Sequence, residues 1–180
     1  MLREGRIANV AAALVLEAGP GRGPAGRMAR SALSEAVAAT ARLLASLFEE
    51  VLLVGGPFPP EAPGRPVPWN AGPAGPLPAL LAALESTGAE RLLFLDAEMP
   101  RARADLLLAL FAWPEADSVV ATLEGRLEPL CAIYRVEPVL ARARARLAAG
   151  ELDLGGLLGE LDGSILLEGD LAALHEADAS

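Results

Sequence analysis

The chain contains no lysine and no glutamine in 180 residues. All 15 of its Lys+Arg positions are therefore arginine, and the only other basic side chain is His175. A phosphate loop of the G-x-x-x-x-G-K-[ST] type needs its lysine to reach the β- and γ-phosphates, so that class of nucleotide site is excluded. The single cysteine, Cys131, excludes an intrachain disulfide framework and a cysteine-based zinc site. The single histidine stands outside every strand-end loop, which leaves no Ser–His–acid set. Aromatic residues make up only 4% of a chain that is 53% hydrophobic, so the core must be built from Leu, Ala and Val. The formal net charge of −9 argues against a nucleic-acid partner, because phosphate contacts need Lys and Arg. No apolar run reaches the ~20 residues that span a bilayer, and no membrane partner is expected.

What is present fits a single α/β domain over residues 1–180, long enough for a substantial core. The first apolar run, 10–16, reads as a buried strand rather than a secretory segment, and a cytoplasmic location is expected. A helix pattern follows over 29–50, with Leu33, Val37, Leu43, Leu44 and Leu47 at helical spacing. "VLLVGG" (51–56) reads as a second buried strand. The Pro- and Gly-rich stretch after it holds one short extended piece at 66–69. "LPALLAALESTG" (77–88) is a helix with Pro78 in its first turn. "RLLFLDAEMP" (91–100) is a third strand carrying acids at its end, followed by a helix near 103–113. "DSVVATLEG" and "EPLCAIYR" are strands joined by a turn near Gly125. "VEPVLARARARLAAG" is a helix, and its Arg142, Arg144 and Arg146 alternate in a way that suggests a solvated face. "ELDLGGLLGEL" is a glycine-broken helix, "GSILLEG" a last strand, and "DLAALHEADAS" a last helix capped by Asp170. Repeated strand–helix units predict a three-layer α/β/α sandwich with a mostly parallel, Rossmann-like sheet. Ligands of such sheets bind beyond the carboxyl ends of the strands, which points to residues 17–28, 55–56 and 96–100.

The loop "LEAGPGRGPAGRM" (16–28) contains a G-x-G-x-x-G match in "GRGPAG". A dinucleotide site also needs an acid at the end of the second strand to hold the ribose, and that strand ends "LLVGGP". Pro24 further removes a backbone N–H from a loop that would work through N–H groups. The wider set of motifs is more informative. "LVLEAGPGRGPAGRM" resembles the strand-and-loop signature of small nucleotidyltransferases, roughly Leu-Ala-Gly-Gly, a few residues, then Arg-Met-Gly. "GPAGPLPALLAAL", "LLFLDAEMP" and "EPLCAIYR" resemble the Gly-Pro-Leu-Ala-Gly, Asp-Met-Pro and Pro-Leu segments of the molybdenum cofactor guanylyltransferases, the MobA family. All four occur in that family's order, between about residues 14 and 135. The family's closing Asn-x-Asn-Thr-Pro-Glu segment has no counterpart in the tail.

The resemblance implies transfer of GMP from GTP to molybdopterin, with GTP and molybdopterin as partners, Mg²⁺ as cofactor, and molybdoenzyme assembly proteins as further partners. It implies nucleotide binding by Leu16, Ala18, Gly19, Gly21, Gly23, Gly26, Asn70, Gly75, Pro76 and Leu77. Arg27, within "GRM", matches the motif arginine, and Arg22 is a second cation able to offset charge on the leaving pyrophosphate. Asp96 and Glu98 are the implied metal carboxylates; two residues apart on an extended segment, they would point the same way. Each of these has a plainer counterpart. The glycines would serve an ordinary βα turn, Arg22 would be a surface residue, and one acid would cap a helix or pair with Arg101 or Arg103. Residues 72–77 would be a simple connection; Glu128, Pro129 and Leu130 match the late strand motif, with Pro129 and Leu130 as strand packing.

Four departures fall on the chemistry-bearing positions. Pro20 replaces the second signature glycine. "ARSALSEAV" stands where a Gly and an Asp-Lys pair are expected, and Arg30 does not substitute for a lysine at a geometric phosphate site. Glu98 stands at the metal Asp, and Asn70 near the place of an upstream Asp. A second expectation therefore stands beside the transferase: a catalytically silent relative that binds a nucleotide or pterin, or acts as an interaction protein.

Overall fold

In the computed structural model of the chain, residues 2–3, 6–16, 30–68, 75–97, 104–123, 126–161 and 164–167 are described. Strand β1 (Leu2–Arg3) is a short antiparallel neighbour of β2 (Arg6–Leu16). Helix α1 (Arg30–Leu47) runs directly into β3 (Phe48–Gly55), and β4 (Arg65–Val67) and α2 (Pro76–Ser86) follow. Then come β5 (Arg91–Asp96), α3 (Ala104–Ala109) with a 3₁₀ turn at Leu110–Ala112, β6 (Ser118–Leu123) and β7 (Arg126–Arg135). Helices α4 (Val136–Ala148) and α5 (Leu154–Glu160) precede β8 (Ser164–Leu167).

Among the described residues the sheet has eight strands, in the order β4-β3-β2-β5-β7-β6-β8, with β1 paired to β2 off that path. Strands β2, β3, β4 and β5 are parallel, as are β6 and β8, while β7 runs antiparallel to both of its neighbours. The expected mostly parallel α/β sheet is therefore present, with β1 and β7 as its antiparallel strands.

Successive side chains of a strand point to opposite faces, so a strand covered on both faces must be apolar throughout. Strand β2 meets that demand with "VAAALV". Val10, Ala12 and Leu14 pack in one layer with Leu93, Leu95, Leu53 and α1 residues Val37, Ala41 and Leu44. Ala11, Ala13 and Val15 pack in the other with Leu92, Phe94, Leu52, Val54 and α2 residues Leu77, Leu80, Ala83 and Leu84. Helices α4 and α5 close that second layer through Val139, Ala143, Leu154, Leu157 and Leu158. At the start of β2, Asn9 adopts φ 61, and the β2–β3 register shifts between Ile7 and Ala11. Asparagine is among the side chains that tolerate this left-handed region.

Several boundaries differ from the sequence reading. The expected first helix runs on to Glu50, but Phe48 already starts β3. Phe48 is buried against Phe111 at a ring separation of 5.8 Å, so tertiary packing overrides helical periodicity there. The short extended piece is Arg65–Val67 rather than 66–69, and the helix expected near 103–113 ends in a 3₁₀ turn. The expected last helix after Asp170 lies outside the described residues. No helix is long and apolar enough to cross a membrane among the described residues.

Leu14 is fully buried in the central strand with neighbours on both sides. Leu14→Ala is expected to cost about 2–5 kcal/mol, read as a lower denaturant midpoint with little change in slope. A loss under ~1 kcal/mol would contradict the packing described.

Candidate functional site

From β2 the chain passes to β3 and β4 on one side, then returns to β5 on the other. The carboxyl ends of β2 and β5 therefore flank the topological switch point, where open α/β sheets leave a crevice. Both sides of β2 are tied there. Ala97 donates its N–H to the Val15 carbonyl at 2.8 Å, and Gly56 donates to the Leu16 carbonyl at 3.1 Å. Leu16 pairs with Gly55, and Val15 with Asp96. Gly55 and Gly56 take φ 90 and 120, a region L side chains rarely adopt, and turn the chain away from the end of β3.

Asp96 is the last residue of β5 and is half-buried. Its register partner Val15 lies in the α2-side layer, as do Leu92 and Phe94 at the same strand parity, so Asp96 stands on the α2 side. Gly75, Pro76 and Leu77 open α2. Gly75 is its N-cap at φ 155 and ψ 167, Pro76 follows in the first turn, and Leu77 is fully buried. Proline suits that turn because its missing N–H would have no helical partner. A helix joining parallel strands starts at their carboxyl edge, so α2 begins on the edge where Leu16 and Asp96 end their strands.

Leu16, Gly75, Pro76, Leu77 and Asp96 are thus the expected site residues that fall on one edge of the sheet. Ala18, Gly19, Gly21, Arg22, Gly23, Gly26, Arg27, Asn70 and Glu98 lie outside the described residues, as do Arg101, Arg103 and His175. Strand β5 ends at Asp96 and Ala97 lies in a turn, and the Glu98 half of the expected carboxylate pair lies outside the described residues. Arg30 opens α1. No group of three or more metal-ligating side chains occurs among the described residues.

Strand β7 carries a bulge at the same edge. Val120 pairs with Ala132 but Ala121 pairs with Glu128, so residues 129–131 stand opposite a single step of β6. Proline has no N–H to give a ladder, which makes Pro129 a natural place for the interruption. The fully buried Tyr134 reaches back along the strand, and its hydroxyl donates to the Pro129 carbonyl at 2.8 Å. Its ring meets Phe94 edge-on at 6.3 Å. In a regular strand Glu128 would share a face with Leu130 and Ala132. The bulge instead sets it opposite Ala121, which packs in the α1-side layer with Cys131. Glu128 therefore stands on the opposite face from Asp96. The sequence reading of this stretch as strand packing holds for Leu130, which packs in the α2-side layer. Cys131 is the expected core residue, and burial, then the Glu128 charge, push its thiol up to about 12. Burial likewise raises the Tyr134 phenol.

Sequence reasoning missed Arg146. The alternating arginines suggest a solvated face, and Arg142 and Arg144 are exposed there. Arg146 is 8% exposed and bridges Glu151, Asp153 and Glu160. Its helical spacing from Val139 and Ala143 contained the signal, since positions i, i+4 and i+7 share a stripe.

A family model described as a MobA-like NTP transferase domain matches residues 12–162, from the middle of the central strand to just past α5. The chain belongs to that family. Among solved structures, a protein from Aquifex aeolicus VF5 aligns at 16% identity with TM-score 0.75, over 91% of this chain and 89% of the other. Molybdopterin-guanine dinucleotide biosynthesis protein A from Archaeoglobus fulgidus aligns at 16% identity with TM-score 0.67, over 94% and 87%. A 2-C-methyl-D-erythritol 4-phosphate cytidylyltransferase from Thermus thermophilus aligns at 18% and 0.59, over 87% of each chain. At such identities the likeness is one of fold. No curated protein sequence matches the chain significantly.

The raised thiol generates a pH dependence with a definite sign. A group that holds its proton more tightly when folded stabilises fully below its unfolded value, here 9.0, and the contribution is lost as pH rises towards about 12. Tyr134 acts in the same direction at higher pH. Unfolding free energy measured by denaturant from about pH 8 to about pH 11 should therefore fall on the alkaline side, and Cys131→Ala should flatten the first part of that fall. A Cys131→Ala profile as steep as the parent's would contradict it. Tyr134→Phe should cost about 1–3 kcal/mol in the same assay at neutral pH, since the Pro129 carbonyl loses its partner inside the fold.

Proposed function

We propose that this MobA-like NTP transferase domain transfers GMP from GTP to molybdopterin, releasing pyrophosphate. The observation that carries the reading is the placement of Asp96 at the end of β5, across the switch point from the end of β2, in a chain of this family. In the proposed reaction a phosphate oxygen of the acceptor attacks the α-phosphorus of GTP. The bond from that phosphorus to the α–β bridging oxygen breaks, and pyrophosphate carries away the electron pair.

The chain's own groups have separable tasks in this scheme. The backbone of the loop after β2, through Leu16, Ala18, Gly19, Gly21, Gly23 and Gly26, cradles the triphosphate. Arg27 and Arg22 offset charge as it grows on the leaving pyrophosphate. Asn70, Gly75 and Pro76 border the base or the pterin, with the buried Leu77 packed beneath them. Asp96, with Glu98, would hold Mg²⁺. The donor chemistry fits that ion, which commonly takes one or two carboxylates and completes its shell with phosphate oxygens and water. Bound there, Mg²⁺ would neutralise part of the triphosphate charge.

A second reading is supported by a specific feature, the complete absence of lysine. A relative that has lost the cation of its signature loop would bind a nucleotide or pterin, or dock on a molybdoenzyme assembly partner, without turnover.

Thermal shift with GTP, CTP and ATP, each with and without Mg²⁺, separates these readings. Ligand at a hundredfold excess over Kd adds about 2.7 kcal/mol, which moves Tm by ~2–4 °C per kcal/mol in a chain of this size. The transferase reading expects the largest shift with GTP and Mg²⁺, and pyrophosphate release once molybdopterin is supplied. Asp96→Ala should lower that release by about 10²-fold or more while leaving the fold intact. A shift without pyrophosphate release would favour the silent relative. No shift with any nucleotide would sink the transferase reading, and a preference for CTP would redirect it to a cytidylyl donor.

A further inference from the structure

The loop between α4 and α5 lies against the start of α2. The Leu152 carbonyl oxygen and Cβ lie 3.9 and 4.0 Å from where a Cβ on Gly75 would stand. The chain after residue 148 thus forms a wall beside the first turn of α2. That wall contributes no strand at this point, and Leu152 is only half-buried, so its position depends on what anchors the loop on either side.

The anchor is Arg146. Its Nη2 meets Glu151 Oε2 at 2.5 Å and Asp153 Oδ2 at 3.1 Å, and its Nη1 meets Glu160 Oε1 at 2.5 Å. Glu151 and Asp153 are the two neighbours of Leu152, so one guanidinium grips the wall on both sides of its contact residue. Asp153 turns its other oxygen to the Gly156 N–H at 2.6 Å and caps α5. Glu160, at the far end of α5, completes the clamp, and Arg142 adds a bond to the Glu160 carbonyl at 2.9 Å. The guanidinium passes so close to α5 that a Cβ on Gly156 would collide with its terminal nitrogens. A planar fork with five donors suits three separate carboxylates; an ammonium does not.

We propose that Arg146 is a positioning residue of the nucleotide site: it holds the 151–153 loop against Gly75 and so builds a wall at the start of α2. The inference rests on the nucleotide site proposed above. It gives the segment after residue 150 a place in that site, through a side chain that touches no ligand. It also explains why a buried cation interrupts the apolar stripe of α4. Its three carboxylate partners each keep contact with water, so removing the arginine frees the loop without stranding a charge in the core.

The test compares Arg146→Met, which keeps much of the packing volume, with Arg146→Lys, which keeps the charge and loses the fork. Two readouts are needed: amide hydrogen exchange of the full chain without ligand, and Kd for GTP with Mg²⁺. In Arg146→Met, exchange should speed up over residues 150–161 and at Ala79, whose N–H closes the first turn of α2 onto the Gly75 carbonyl at 3.3 Å. The amides of β5 should be unchanged. Kd should rise about tenfold, and Arg146→Lys should fall between the parent and Arg146→Met in both readouts. Faster exchange over 150–161 with Ala79 unchanged would overturn the proposal. So would faster exchange at β5 to the same degree, which marks a general loss of stability, or an unaltered Kd with a loosened wall. If the parent chain binds no GTP, the nucleotide reading has failed, and the exchange at Ala79 still decides whether Arg146 sets the wall.

Discussion

Every element of the candidate site takes its position from where β2 ends. The strand is hydrogen-bonded on both sides and covered on both faces, so it cannot slide without moving two ladders and two layers at once. A one-residue slip would exchange Val10, Ala12 and Leu14 with Ala11, Ala13 and Val15, sending each set into the wrong layer. That double constraint fixes the end of β2 between β3 and β5, with Leu16 beside Gly55 and Val15 beside Asp96. The three alanines at its centre also matter, since small residues on both faces allow bulkier side chains from the neighbouring strands and helices to fill the layers. The site at the carboxyl edge inherits the rigidity of the strand below it.

The two faces of the sheet do different work at that edge. Asp96 and the start of α2 stand on one side, and the bulge of β7 sends Glu128 to the other. Without the bulge both carboxylates would crowd the same face and repel the phosphates of any nucleotide bound there. Tyr134 spends its buried hydroxyl on the bulge, and its ring packs on Phe94 of the same strand that carries Asp96. The sequence "EPLCAIYR" therefore encodes a local geometry as much as a packing surface. Pro129 interrupts the ladder, and Tyr134 five residues later accepts the consequence.

Much of this was legible in the residues. Strand-helix alternation implied the layers, because runs such as "VAAALV" and "RLLFLD" must be buried on both faces. The four motifs pointed to the family that the match over residues 12–162 bears out. The boundaries were less legible where tertiary contacts outweigh local pattern. Phe48 continues the helical spacing of α1, yet its contact with Phe111 and its pairing in β3 pull it into the sheet. Arg146 escaped for a different reason. A charge on a helix is read as solvated unless its partners are known, and its partners lie outside α4, in the next helix and the loop before it. The bulge was invisible because it is defined by the register with β6, which no single strand records. The glycine loop, Asn70 and Glu98 lie beyond the described residues, so their part in the site stands on the family motifs alone.

The departures from the motif set fall unevenly, and that unevenness is itself informative. Positions that shape the frame are intact: the strand end at Leu16, the glycine and proline that open α2, the acid that closes β5. The departures sit where the family motifs place the chemistry: a proline in the loop, an Asn, a Glu, and no lysine at all. A frame constrained by packing is kept whenever the fold is kept, and Leu16 and the opening turn of α2, through Leu77, pack in the layers beneath. A lysine in a phosphate loop serves only the phosphate. Every long cation of this chain is an arginine, a planar fork where a lysine would offer a compact point donor. Such a fork binds phosphate oxygens in pairs, so it would grip a ground-state triphosphate at least as well as an ammonium does. Catalysis gains only from contacts that strengthen in the transition state, and there a fork's fixed geometry is an advantage only if the loop presents it to the leaving pyrophosphate. Under the proposed function, binding and turnover would therefore be decided separately at the arginines, while the sheet edge is common to both readings.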